Sequence, residues 1–249
     1  MRALKVSLEG ITTSFRYPHF MIGDQPTFPM PPPATIYGHI CSALGKWVDP
    51  TGILFAYHFT ALAGFEDLEH IHMVSASGGK LPGTNEPKVQ EGSIQPFRRQ
   101  LLFQPRMDLY INQPEWAEAF RSPVYPVILG RSQDLCAYTS VEVVELRQEK
   151  SVYLEHTLLP FEMAVRTQIG TVMLMPRFLD YHNKRYPTFA RYLALQRRIL
   201  TNSLDMLQFD TSEQVYWCDP TAPAIQNIPR GLLFHSFQGN DYESITISR

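Results

Sequence analysis

The chain has 249 residues, a formal net charge of −2, and 44% hydrophobic against 18% charged residues, enough length for a sizeable core and an ordinary globular composition. No apolar run approaches the ~18 residues of a membrane span, and Arg2, Lys5 and Glu9 interrupt the N-terminal apolar residues, unlike a secretory signal. Cys41, Cys136 and Cys218 are scattered, which argues against a disulfide framework or a zinc site and for a reducing cytoplasm.

Leu4, Val6 and Leu8 alternate with Lys5, Ser7 and Glu9, which predicts a first strand over 3–9 with one buried face. Pro26, Pro29 and Pro31 to Pro33 each fix φ at about −65° and lack an N–H donor, so this stretch is an extended lead-in. Pro33 suits the first turn of a helix over 34–44, Ile36, Ile40, Ala43 and Leu44 share one of its faces, and Gly45 suits its stop. Gly38, inside that helix, costs about 1 kcal/mol relative to alanine. It points either to close approach of a backbone or ligand, or to a helix pressed onto a sheet.

Strand-prone material follows at Phe55–Ala63 and Ile71–Ser75. Between Ser75 and Arg98, glycine, proline, asparagine and lysine replace most large apolar residues. Such a segment makes no core and exceeds an ordinary connection, so it is a functional excursion or disordered. Leu101–Phe103, Met107–Ile111 and Val141–Leu146 read as strands, and Pro114–Phe120 as a short helix. This order is that of a ferredoxin-like unit, an α+β fold with its helices on one face of an antiparallel sheet. Residues 1–148 are assigned to that domain, with the excursion at about 76–100, and 149–249 to a β-rich C-terminal extension packed on it. In the extension, Ser151–Thr157, Phe161–Met175, Val215–Trp217 and Leu232–Phe234 predict strands. Pro187 opens a predicted helix with the stripe Phe189, Tyr192, Leu193, Ile199, Leu200, Leu204 and Leu207.

The overall charge and a pI near 6.4 are unlike a nucleic-acid binder, but local clusters decide phosphate contact. Residues 78–110 carry Lys80, Lys88, Arg98, Arg99 and Arg106 against Glu86, Glu91 and Asp108. Residues 177–198 carry six cations against Asp180 alone. Solvated helix faces also produce such clusters.

Four elements occur in order: Ser14-Phe15-Arg16; the run from Pro26-Thr27 through Pro31-Pro32-Pro33-Ala34-Thr35; the small-residue helix ending Ala43-Leu44-Gly45; and Leu129-Gly130-Arg131-Ser132. Together they resemble the CRISPR-associated family that forms the fifth subunit of type I Cascade complexes, with Pro-Pro-Pro and Leu-Gly-Arg-Ser most like its I-B branch. The resemblance covers roughly the first 135 residues. It implies a ferredoxin-like domain of RNA-recognition-motif type bearing a protruding β-hairpin thumb at the glycine-rich excursion. It also implies a non-catalytic antiviral-defence subunit that caps the 5′ handle of the crRNA, contacts the Cascade backbone and large subunits, and meets target DNA only through the complex.

An RNA-capping role needs phosphate donors, flat side chains for unpaired bases, and a concavity. Arg16, Arg98, Arg99 and Arg131 are the guanidinium candidates, with Lys80 and Lys88 on the excursion; Gly38 and Gly130 would let a phosphate or base approach the backbone. Tyr37, with Phe15, Phe97 and Tyr125, is a stacking candidate that also suits a core or rim. The resemblance places Arg98 and Arg131 near the handle. One branch of the family is a metal-independent endoribonuclease using a tyrosine and a Lys-His pair; this chain has no Lys-His dipeptide, and its helix ends Leu44-Gly45-Lys46-Trp47. That alternative, and a protein-interaction module without RNA contact, stay open. No metal or cofactor is expected: His70 and His72 alone leave a metal site incomplete.

Overall fold

The structure is a computed structural model that describes residues 1–20, 23–75, 78–87, 91–167, 169–202 and 214–238. Strands dominate, with two α-helices among the described residues. β1 (Arg2–Gly10), α1 (Pro33–Leu44), β2 (Leu54–Thr60), β3 (Ala63–Ser75), β4 (Glu91–Phe103), β5 (Arg106–Ile111), α2 (Ala117–Arg121) and β6 (Cys136–Glu145) make up the N-terminal part. The central sheet is antiparallel in the order His235–Ser236, β2, β5, β1, β6, with Leu4 opposite both Ile111 and Val143. Its strand alternation is the predicted one: Leu4, Val6, Leu8, Phe55, Tyr57, Phe59, Met107 and Leu109 join the main core with Ile36, Ile40 and Ala43 of α1. Gly45 takes the left-handed φ of 70° that ends α1, and Lys46 N donates to Cys41 O at 3.2 Å.

The C-terminal part departs from two expectations. Tyr186–Leu195 is a strand, not a helix; it lies between Thr157–Pro160 and Thr171–Asp180 in a three-stranded sheet, here β9, β7 and β8 respectively. Tyr192 and Ala194 enter the main core while Leu193 and Leu195 enter a second cluster with Val152 and Ile199. A strand buried on both faces carries a continuous apolar run, which a helical stripe imitates. Leu204 and Leu207 lie outside the described residues. Phe161–Val165 is a 3-10 turn after Pro160, with strand beginning only at Thr171.

The other face of the central sheet is covered. Ala3, Ala56, Tyr110 and Val144 pack with Leu232, Trp217 and Phe234. Tyr110 Oη donates to Asp219 Oδ2 (2.9 Å), which also takes Lys5 Nζ (2.7 Å), and Arg230 Nη2 and Ser7 Oγ both reach Asp108 (2.8 and 2.7 Å). Every charge here is paired, the condition under which buried charge is tolerated. An RNA-recognition-motif domain offers aromatics on such a face; here Tyr110 is buried beneath the C-terminal segment.

Candidate nucleic-acid interface

β3 and β4 form one long antiparallel hairpin, in register from Ala63 opposite Phe103 to Ser75 opposite Glu91. The projection therefore starts at Ala63 and extends beyond the 76–100 expected from composition, because its arms carry strand-forming residues on both faces. Its foot is buried on one face through Phe97, Arg99 and Leu101, with Leu68 exposed on the other, and Ile71, Met73, Val74 and Ile94 further out are exposed.

Three of the four sequence elements meet at this foot, and the fourth, α1, packs instead against Thr171–Asp180 and α2. Phe15 N donates to Thr27 Oγ1 and Phe28 N to Phe15 O, both at 2.8 Å, which ties Ser14-Phe15-Arg16 to the proline-rich lead-in. Asp24-Gln25 pairs parallel with Arg98-Arg99, and Thr27 N donates to Gln100 Oε1 (3.3 Å). Thr13 Oγ1 donates to Leu129 O, drawing in the Leu-Gly-Arg-Ser loop. Gly130 has φ +102°, and a Cβ there would lie 2.5 Å from Thr13 Oγ1 and 2.8 Å from Ser14 O. The close approach it permits is thus to this chain's own backbone.

Arginines at the foot fall into two kinds. Asp134, whose side chain is 0% exposed, accepts from Arg131 N and Nε (2.9 Å each) and Nη2 (2.7 Å); Glu69 accepts from Arg131 Nη1 and from Arg99 Nε (2.8 Å). The hydrogen bond to Asp134 is the main reason the Arg131 pKa is raised. Arg99 is buried and lies 5.0 Å over the Phe97 ring. Arg99, Glu69, Arg131 and Asp134 are therefore an internal clasp between hairpin and loop. Arg98 is of the other kind, with a side chain 64% exposed and a fork-shaped pair to the equally exposed Asp24 (2.7 and 3.0 Å). Exposed pairs contribute at most about 1 kcal/mol, so Asp24 holds Arg98 only weakly. Arg16 is exposed and has no ion-pair partner among the described residues.

The remaining candidates lie apart from the foot or inside the fold. Tyr37 is buried, its Oη donating to Val48 O (2.6 Å), and Phe15 and Phe97 are buried too, so none presents a ring to a base; Tyr125 is exposed. A Cβ built on Gly38 meets nothing within 4 Å, so no backbone among the described residues outside its own helix approaches it. Gly38→Ala is accordingly expected to raise the unfolding free energy by about 0.5–1 kcal/mol, read from the urea midpoint; a loss would show that the position is sterically closed. Lys80 is exposed beyond the hairpin arms, donating to Asn85 Oδ1 (3.2 Å); Lys88 lies outside the described residues. His70 and His72 share a face of β3 with ring centroids 6.3 Å apart, and among the described residues no group of three or more His, Cys, Asp or Glu is placed to hold a metal.

The acidic partners Asp24, Glu69 and Asp134 were not among the candidates. Asp134 had a signal, the i, i+3 spacing from Arg131 within a turn; Asp24 and Glu69 reach their arginines only through strand pairing.

No family model and no curated protein matches the chain. Among solved structures, a chain of a CRISPR RNA-guided surveillance complex superposes with TM-score 0.51 at 17% identity, over 80% of this chain and 91% of that one. A CRISPR protein from Archaeoglobus fulgidus gives 0.44 at 12% identity (80% and 91%), and a chain of a type III-B Cmr-beta complex bound to cognate target RNA gives 0.45 at 13% (81% and 86%). The first of these likenesses shows a shared fold. Among the described residues no helix is long and apolar enough to cross a membrane.

Proposed function

We propose that this chain is a non-catalytic RNA-binding subunit of a type I CRISPR surveillance complex, built on a ferredoxin-like unit, that caps the 5′ handle of the guide RNA and seats the backbone and large subunits. The observation that carries the reading is the convergence of three of the four signature elements, Ser14-Phe15-Arg16, the proline-rich lead-in and the Leu129–Ser132 loop, at the hairpin foot. The strand order β2, β5, β1, β6 with both crossovers helical supports the ferredoxin-like assignment. The likeness to a surveillance-complex chain agrees with it. Arg16 and Arg98 are the phosphate contacts in this reading, while Arg99 and Arg131 position the loop and hairpin that hold the RNA end.

Reconstitution of the full chain with guide RNA and partner subunits tests this. Arg16→Ala/Arg98→Ala should weaken handle protection and reduce the steepness of the log affinity against log salt plot by about 1.4, the share of two phosphate contacts on a single strand. Undiminished protection with an unchanged slope would refute the assignment. Incubation with repeat RNA in a chelator should leave it intact; one defined cut would move the reading to the endoribonuclease alternative.

A further inference from the structure

The β8–β9 turn folds over the end of α1 and carries a column of rings from the core to solvent. Tyr37, anchored in the core, lies 6.0 Å from Trp47 with planes 27° apart; Trp47 in turn stacks on Tyr181 at 4.5 Å and 19°. Trp47 is 40% and Tyr181 48% exposed. The column therefore ends on an accessible ring held rigid from beneath. The turn itself is fixed, since Asp180 Oδ1 accepts from the backbone of His182 (3.0 Å) and Asn183 (3.2 Å), and Tyr186 N donates to Asn183 O (2.9 Å).

The surrounding charge is cationic. Lys184 and Arg185, consecutive residues at φ 52° and 58°, are exposed at the tip with no ion-pair partner among the described residues, and Lys46 adjoins Trp47. The nearby carboxylates are otherwise engaged, Asp180 by the turn and Asp49 by Thr51 N and Oγ1 (2.9 and 2.6 Å). The His182 ring lies 5.6 Å from Tyr181 at 76°, yet Tyr181 stays 48% exposed. An exposed ring beside cations without ion-pair partners among the described residues matches an unpaired base flanked by phosphates, whereas an apolar or acidic protein surface would match only half of it.

We infer that the β8–β9 turn is a second nucleic-acid contact, at which an unpaired base stacks on Tyr181 while Lys184 and Arg185 take its flanking phosphates. This contact is separate from the hairpin foot and does not require a guide-RNA handle.

Titration of the full chain with labelled oligouridine and oligothymidine of about ten nucleotides tests it. Tyr181→Ala should weaken binding about ten-fold and Tyr181→Phe should restore it. Lys184→Ala/Arg185→Ala, which alters only exposed turn side chains, should weaken binding and flatten the salt slope by about 1.4. A loss confined to one oligomer supports the site and identifies the strand type. Wild-type affinity in both alanine variants, with loss only in Arg98→Ala, would overturn the inference and place homopolymer binding at the hairpin. It would equally be overturned if Tyr181→Ala impaired only assembly with protein subunits.

Discussion

Asp134→Ala is expected to lower the unfolding free energy by about 3–5 kcal/mol, the effect of stripping one partner from a buried ion pair. The carboxylate is fully enclosed and holds three Arg131 donors, one of them the backbone N–H. Its removal leaves a guanidinium with Glu69 as its one remaining ion-pair partner among the described residues and an orphaned amide in a loop already constrained at Gly130. Asp134→Asn keeps an acceptor for the amide but not the charge, so it should fall between alanine and wild type. Urea unfolding at neutral pH separates the outcomes: a loss below about 1 kcal/mol would mean the clasp behaves as an exposed pair. The same variant should loosen the hairpin foot, visible as faster amide exchange at Arg98 to Leu101.

Acid should destabilise the protein well before its carboxylates titrate. Burial pushes the His58 imidazole down to about 3, with Arg230 and His156 adding to the effect, and burial alone pushes His235 down to about 4. In the unfolded chain both take up a proton near about pH 6.5. A base whose folded pKa is depressed contributes stability that is present above the unfolded pKa and lost as pH falls toward the folded value. The window is thus from about 6.5 down to about 3–4. By pH 5 each histidine accounts for a loss of about 2 kcal/mol, together about 4 kcal/mol. Asp108 and Asp219, whose pKa values are lowered by their Ser7, Arg230, Lys5 and Thr221 partners against the opposing effect of burial, withdraw their contribution only at lower pH. Unfolding free energies at pH 7 and pH 5 report the buried histidines, among them His39, whose pKa burial also lowers; His235→Gln should remove about 2 kcal/mol of the difference whatever it does to absolute stability. Equal stability at both pH values would show that the buried imidazoles accept protons in the fold.

The sequence was most legible where local rules and tertiary packing agree. The alternation of Leu4, Val6 and Leu8, the Pro33 entry and the Gly45 stop each specify one conformation by sterics and side-chain period alone. It was least legible where one segment serves two cores: the run Tyr192 to Leu195 divides between clusters that exist only once β7 and β8 are paired. The candidate site divides along the same line. Its elements were visible as motifs, but motif letters do not tell a free arginine from a clasped one. Arg98 and Arg99 are neighbours whose side chains point to opposite faces of β4, and only the pairing with Glu69 and Asp24 decides which remains available.

The cover on the central sheet also bears on how the protein is made. Lys5 pairs with Asp219, 214 residues further along the chain, and Leu54 pairs with Ser236. The sheet face with Ala3, Ala56 and Tyr110 therefore lies open on the nascent chain until Trp217, Leu232 and Phe234 have been made and docked. Contacts of such separation close slowly. Closure of the fold therefore waits on residues 217–236, and the interval before they dock is when this sheet face is most exposed to chaperones and proteases.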